Sequence, residues 1–259
     1  MNASAMHDWI VPAWDAPPNV GALVTTRAGG VSIGPWGDAA GKGGLNVGLS
    51  AGDERAAVET NRARLARHLP APPRWLAQEH GAMVADAEAV GGDGAKTVAD
   101  AATSITPSVV CAVQIADCLP VLLADTDGTV VGAAHAGWRG LAAGVIQNTV
   151  RTMRARTHGA ARIVAYLGPA IGPRHFEVGP EVLAAMRVSL RDAEHAFVPA
   201  SAGKFHADLF ALAKMALRQV GVEQVAGGGD CTFSDTARFY SYRRDGVTGR
   251  QAALVWIRS

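Results

Sequence analysis

Residues 109–140 read VVCAVQIADCLPVLLADTDGTVVGAAHAGWRG, and they contain strand, turn and helix signals in direct succession. Residues 109–116 and 120–124 are apolar and rich in strand-forming side chains, which predicts two buried strands. Between them lie Asp117 and Cys118. A charged side chain that interrupts a buried apolar run needs a partner or a chemical role. This junction is therefore the first candidate for a functional site.

A hairpin and a helix follow this junction. Residues 125–128, Asp-Thr-Asp-Gly, have the composition of a hairpin turn, so residues 129–135 are predicted as the returning strand. Directly afterwards, apolar side chains recur at helical spacing as far as Met153.

The rest of the chain shows the same two periodicities. The pattern predicts helices at 53–69 and 208–220, strands at 20–27 and 162–167, and a terminal antiparallel pair at 239–243 and 252–257. These elements interleave without repeats or linkers, which indicates mixed sheets with helices between them.

Composition excludes several classes of protein. Of the 259 residues, 49% are hydrophobic and 18% are charged, which is typical of globular proteins. The net charge of +1 gives no argument for binding nucleic acid or an acidic membrane surface. No apolar run reaches the roughly 20 residues of a membrane-spanning helix.

Cysteine use and the N-terminal region predict a cytoplasmic protein. Three scattered cysteines, Cys111, Cys118 and Cys231, are too few for a disulfide framework, which favours a reducing compartment. Residues 1–20 lack the basic and apolar segments of a secretory signal. We expect a monomer or a weak homodimer.

Three metal-competent side chains lie in short, unusual motifs: His80 in QEHG, Cys118 in ADCLP and His135 in HAGWRG. Two imidazoles and one thiolate form an open zinc set that leaves the fourth position for water or substrate. The three are too far apart in the sequence for a zinc finger, so only the tertiary fold can bring them together. The alternatives are a buried inert thiol at Cys118 and a surface or core histidine at position 80.

Arg139 lies where the predicted strand passes into a helix. Free N–H groups and the helix dipole favour anions there, and a guanidinium suits phosphate or carboxylate. Alternatively, Arg139 caps a neighbouring carbonyl group or pairs with an acid.

Eight motifs resemble those of the YfiH-like laccase-domain family, and the match runs from about Thr25 to Trp256. They are TTRAGGVS at 25–32, NR at 61–62, QEHG at 78–81, ADCLP at 116–120, HAGWRG at 135–140, LGP at 167–169, FEV at 176–178 and FYSYRR at 239–244. Members are also called polyphenol oxidoreductases, purine nucleoside phosphorylases or peptidoglycan editing factors. One departure is the glycine-rich insertion at 38–44.

The resemblance implies an α+β fold: a single αββα-layered domain over residues 1–259, with its motifs in about 20–258. It implies zinc on His80, Cys118 and His135, with copper as a substitute. It further implies phosphorolysis of adenosine, inosine, guanosine and methylthioadenosine, and deamination of adenosine in the same site. The partners are then purine nucleosides and phosphate.

Further residues receive roles on this basis. Asp117 joins His80, Cys118 and His135 as a catalytic candidate. Candidates for binding substrate or phosphate are Arg27, Asn46, Gln78 and Arg139, with Arg62 as a further cation. The side chains of Asn46 and Gln78 could equally serve turns of the backbone.

Three other functions remain open. A multicopper laccase needs about ten histidines, mostly in H-x-H pairs, and this chain has eight histidines and no such pair. Only weak oxidase activity from one copper ion is compatible with that count. A cysteine hydrolase would use Cys118 as the nucleophile and a histidine as the base, acting on a peptidoglycan precursor or an amide. A pure binding module fits poorly with the acid–thiol pair.

Overall fold

The computed structural model describes residues 9–91, 97–159 and 161–259. Residues 1–8, part of the segment in which we predict no secretory signal, lie outside this range. The strands are β1 Val20–Val24, β2 Ala28–Ser32, β3 Val84–Asp86, β4 Ala101–Ser104, β5 Cys111–Ile115, β6 Leu119–Asp125, β7 Val131–Ala136, β8 Ile163–Leu167, β9 Glu177–Val178, β10 Phe197–Pro199, β11 Phe205–Ala207, β12 Val225–Gly227 and β13 Gln251–Ile257. The helices are α1 Arg55–Ala66, α2 Trp138–Ala143, α3 Val145–Arg156, α4 Pro180–Ser189, α5 Leu209–Gln219 and α6 Tyr242–Asp245.

Two sheets form the centre of the molecule. The larger has six strands in the order β12-β8-β6-β7-β4-β3, and the smaller has the order β1-β13-β5. In the larger sheet β6 pairs antiparallel with β7, which confirms the predicted hairpin, whereas β12 pairs parallel with β8. A third, short sheet has the order β10-β11-β9.

Alternation along β6 explains how the two sheets pack. Leu122 and Ala124 belong to the apolar cluster shared with Val113 and Val255 of the smaller sheet. Leu123, which points the opposite way, belongs to the cluster beneath the helices. Because successive side chains of a strand alternate between its faces, a continuous apolar run can fill two cores at once.

Helices cover both outer faces. Leu65 of α1 packs with Leu254 in the cluster outside the smaller sheet. Val150 of α3, Met186 of α4 and Leu212 of α5 lie in the cluster outside the larger sheet. The layers are therefore helix, sheet, sheet and helix, and the predicted αββα fold is confirmed. Among the described residues, no helix has both the length and the apolar character needed to cross a membrane.

The predicted terminal strand pair is wrong. Residues 239–241 form no strand, Tyr242–Asp245 is the short helix α6, and β13 pairs instead with β1 and β5. The Gln251 side chain accepts from the backbone N–H of Tyr240 at 3.0 Å and donates to its carbonyl at 3.2 Å. An amide side chain thus replaces the ladder that a strand would have made.

The helix predicted after His135 is present but divided. Gly144 has φ 84°, a left-handed conformation that ends α2 and begins α3. Glycine adopts this conformation without a steric penalty. The apolar positions keep their common face across the break, which is why their spacing predicts one helix.

Candidate metal centre

His80, Cys118 and His135 come together in the folded chain. Their ligand-competent atoms lie within 4.8 Å of one another, and no other such group of three or more occurs among the described residues. His80 lies in the loop before β3, and Cys118 in the turn where the chain leaves β5 of one sheet and enters β6 of the other. His135 is near the end of β7. The site therefore forms where the two sheets meet.

Asp100 organises this site, although the sequence does not single it out. Its carboxylate accepts from the backbone N–H of Glu79 at 3.2 Å, of His80 at 2.9 Å and of Gly81 at 2.7 Å. The same carboxylate lies 2.8 Å from Nδ1 of His135. A carboxylate on Nδ1 fixes the orientation of an imidazole and leaves Nε2 for a metal. Asp100 thus holds both histidines.

Unusual backbone geometry completes the arrangement. His80 has φ 62° and Asp117 has φ 89°, both in the left-handed region that is uncommon for residues with a side chain. Gly137 is required for a different reason. A Cβ atom there would lie 2.8 Å from Sγ of Cys118 and 3.1 Å from Cδ2 of His80. The absence of a side chain at Gly137 leaves room for the three ligands.

The thiolate of Cys118 and the imidazolium of His135 stabilise each other. Burial opposes ionisation of the Cys118 thiol, but the charge of His135 and hydrogen bonds from His135 and His80 lower its pKa to about 6. Burial also disfavours the cation of His135, but Cys118 and Asp100 raise the pKa of its imidazole to about 9. The thiolate is the form of cysteine that binds metals, and metal binding would release the imidazolium proton.

The Asp117 carboxylate forms its hydrogen bonds with distant residues and not with the neighbouring Cys118 thiol. Its carboxylate accepts from Oγ1 of Thr232 at 2.6 Å and from the backbone N–H of Arg243 at 2.7 Å. Its carbonyl accepts from the N–H of Ile171 at 2.9 Å. The charge inside the apolar run therefore ties the Cys118 turn to two distant segments of the chain.

Three of the predicted substrate-binding side chains bond to the protein itself. Arg27 donates to the carbonyl of Gly37, just before the glycine-rich insertion, and to the carbonyl of Thr236. The carbonyl of Asn46 accepts from Asn61, and its side-chain amide lies between Asp53 and two backbone N–H groups. Gln78 pairs with both backbone groups of Gln114, at 2.8 and 2.9 Å. Arg62, the further cation, donates to the carbonyl of Val47.

Two other arginines supply charge for an anionic ligand, although Arg250 also donates to the carbonyls of Thr248 and Gly249, at 2.8 and 3.0 Å. Arg139 is exposed, and its guanidinium lies 4.3 Å from the centroid of the Trp138 ring. Arg250 is half-buried, and burial lowers its pKa while the charges of Cys118 and Asp117 oppose this shift. The positive charge of Arg250 therefore favours the ionised form of Cys118. The sequence offers no sign of this role, since Arg250 stands in a turn-like segment far from the three motifs.

Comparison with known proteins places this site in a family. The family described as multi-copper polyphenol oxidoreductase laccase matches residues 21–258. The chain belongs to this laccase-domain family. A Pseudomonas aeruginosa relative with the name purine nucleoside phosphorylase is 49% identical, covering 97% of this chain and 99% of its own. The Escherichia coli purine nucleoside phosphorylase YfiH is 46% identical, covering 97% and 100%.

Solved structures of laccase-domain relatives have the same fold. A Neisseria meningitidis protein matches with a TM-score of 0.89 at 44% identity, covering 97% of this chain and 100% of its own. YlmD from Geobacillus stearothermophilus matches with a TM-score of 0.84 at 32% identity, covering 93% of each chain.

The donor set suits zinc. Ligand atoms around a tetrahedral zinc ion lie about 3.3–3.6 Å apart, given Zn–N and Zn–S bonds of about 2.1 and 2.3 Å. His80, Cys118 and His135 need only a small closure from their observed spacing to reach this geometry. His80 is exposed and His135 is buried, so the set is open to solvent on one side. An open fourth position is typical of catalytic rather than structural zinc.

Proposed function

We propose that this chain is a zinc-dependent purine nucleoside phosphorylase that also deaminates adenosine. The observation that carries the proposal is the His80–Cys118–His135 cluster, open on one side and held by Asp100. The names of the relatives that are 49% and 46% identical support the phosphorylase part. The substrates would be adenosine, inosine, guanosine and methylthioadenosine with phosphate, in the cytoplasm.

The residues of the site divide into three roles in this proposal. His80, Cys118 and His135 hold the metal, zinc in preference to copper. Zinc in such a site supplies Lewis acidity, which activates water and polarises the bond that breaks. Arg139 and Arg250 bind phosphate.

The remaining candidates act through their neighbours. Asp117 fixes the turn that presents Cys118, since both its oxygens are bonded elsewhere. Arg27, Asn46 and Gln78 shape the walls through the backbone groups that they bind. To contact the nucleoside, their side chains must first give up these hydrogen bonds to the protein.

The test is incubation of the purified, metal-containing protein with adenosine, with and without phosphate, followed by chromatography. We expect inosine in both cases, and free purine base plus ribose 1-phosphate only when phosphate is present. Cys118→Ala should abolish both reactions, because two histidines alone hold zinc loosely. His195→Ala, at an exposed histidine, is the matched control. If the folded, zinc-loaded protein consumes no nucleoside, the proposal fails and a cell-wall substrate becomes the leading candidate.

Arg139→Ala tests the phosphate site. We expect a higher KM for phosphate with adenosine deamination retained, because only phosphorolysis needs the anion. Equal losses in both reactions would assign Arg139 to the nucleoside or to the structure.

Metal content separates this proposal from its main alternative. The same geometry would let Cys118 act as a nucleophile with His135 as its base. Elemental analysis should find about one zinc ion per chain. Activity that persists after complete zinc removal would favour the thiol mechanism.

A further inference from the structure

A pocket lies apart from the metal centre, and none of the three metal-binding side chains lines it. Its volume is about 370 Å³, within the range of small-molecule sites. The lining groups that matter chemically are Gly172, Arg174, His175, Lys214, Cys231 and Ser234. The proposed function does not use Cys231.

The Cys231 thiol is held in a hydrogen-bonding environment. The backbone N–H of Gly172 donates to its Sγ at 3.2 Å, and Oγ of Ser234 lies 3.4 Å away. Burial opposes its ionisation, but hydrogen bonds from Ser234, Gly172 and Phe233 outweigh burial and lower the pKa of the thiol. Unlike Cys111, which is fully buried, Cys231 is partly exposed and lines an open pocket.

The pocket also has an excess of positive charge. Arg174 and Lys214 both line it, and within the described residues neither forms an ion pair with a carboxylate. The one acid in the wall, Asp208, caps α5 by accepting from the N–H groups of Phe210 and Ala211 through one carboxylate oxygen, so the wall carries two cations and one anion. Free cations around a concave surface favour an anionic ligand.

We propose that this pocket captures anionic, low-molecular-weight disulfides and that Cys231 forms a mixed disulfide with them. The Cys231 thiolate attacks one sulfur of the small disulfide, whose S–S bond breaks as the new S–S bond forms. The second half leaves as a thiolate and takes a proton from water. Cys231 is thereby oxidised and the leaving half is reduced, so the step needs no other reactant.

The cations and the thiol serve different parts of this capture. Arg174 and Lys214 would bind carboxylates of the disulfide and raise its local concentration. The hydrogen bonds to Sγ favour the thiolate, which is the attacking species. His175, stacked on Phe233 with the ring centroids 4.4 Å apart, closes one side of the pocket.

The test uses the full chain as purified with its metal, treated with glutathione disulfide and followed by intact mass spectrometry. We expect one glutathione adduct per chain, mapped to the peptide that contains Cys231 and absent in Cys231→Ser. Cys111→Ser is the matched control and should react like the unchanged protein. No adduct, or an adduct on Cys118 instead, would overturn the proposal.

A second measurement tests the charge recognition without depending on Cys231 substitutions. Lys214→Gln should slow the reaction with glutathione disulfide by about tenfold, since removing a steering charge lowers the encounter rate. The uncharged hydroxyethyl disulfide should react equally fast with both proteins. Equal slowing with both disulfides would mean that the pocket does not select anions. Because mass is the readout, failure here is distinguishable from failure of the proposed phosphorylase activity.

Discussion

The two ends of strand β4 are held by the same kind of group for different purposes. At its start, the Asp100 carboxylate accepts from the backbone N–H groups of His80 and Gly81. At its end, the Glu88 carboxylate accepts from the backbone N–H groups of Ile105 and Thr106, at 2.9 and 3.1 Å. In both cases hydrogen bonds outweigh burial and hold the pKa of the carboxyl below its ordinary value.

The difference lies in the remaining partner. Asp100 meets the imidazole of His135, and Glu88 meets the guanidinium of Arg156 at 2.9 Å. An imidazole bonded through Nδ1 keeps a second nitrogen that can bind a metal, whereas a guanidinium has only donors. The Asp100 carboxylate therefore positions a metal ligand, whereas the Glu88 carboxylate forms a structural clamp with Arg156. Four experiments test this distinction, and they are ordered by the size of the expected effect.

Asp100→Ala should have the largest effect. We expect the affinity for zinc to fall by about 100-fold, because loss of a partner behind a metal-binding histidine typically costs 10–100-fold. Here the same change also frees the loop that carries His80. Competition with a chromophoric chelator measures the affinity, and circular dichroism checks the fold. Glu88→Ala is the matched control, and an equal loss of affinity in that variant would remove the distinction between the two ends.

Gly137→Ala should weaken the binding of zinc while leaving strand β4 unaltered. The added Cβ would lie 2.8 Å from Sγ of Cys118, so the ligand must move. We expect about a tenfold loss of zinc affinity, or about 1.4 kcal/mol, which is within the usual cost of overpacking. Gly229→Ala is the control, because a Cβ there meets nothing within 4 Å. Unchanged affinity in Gly137→Ala would show that the three ligands have more freedom than their spacing indicates.

The sequence predicts the metal ligands but not the carboxylate that positions them. His80, Cys118 and His135 stand in distinctive motifs, and only the tertiary fold was needed to join them. Asp100 precedes a short apolar strand, as surface acids often do, and no local pattern distinguishes it. Its role follows from the pairing of β4 with β7, which brings His135 beside it.

Local patterns also predicted the fold better than they predicted which groups the polar side chains bind. Alternation and helical spacing depend on near neighbours, so the hairpin of β6 and β7 was predictable from the residues, whereas the layer order was implied only by the resemblance to the laccase-domain family. Whether Arg27 or Gln78 faces a ligand or a carbonyl depends on distant segments, Thr236 and Gln114 respectively. The wrong terminal strand has the same cause, since the Gln251 side chain replaces strand pairing at Tyr240.

Glu88→Gln should destabilise the protein without affecting zinc. The variant keeps an acceptor for Ile105 and Thr106 but loses the charge that pairs with Arg156. We expect the free energy of unfolding at pH 7 to fall by about 1–2 kcal/mol, near the lower end for hydrogen bonds to charged groups, because the Glu88–Arg156 pair is partly exposed. Urea unfolding measures it, and Glu59→Gln is the control, because its exposed pair with Arg55 should contribute little. A loss of zinc affinity in Glu88→Gln would contradict the separation of the two ends.

The smallest effect should be the dependence of this stability difference on pH. The pKa of Glu88 is lower in the folded chain than in the unfolded chain, so the folded state favours the charged form. Its contribution is therefore fully present above the ordinary glutamate pKa of about 4.3 and declines as the pH falls toward the folded-state pKa. Unfolding free energies of the unchanged protein and Glu88→Gln should differ by a constant amount from pH 7 to about pH 5 and converge progressively below about pH 4. A difference that stays constant down to pH 3 would mean that the Gln variant loses packing rather than charge, and that the clamp at this end of β4 does not depend on an ionised carboxylate.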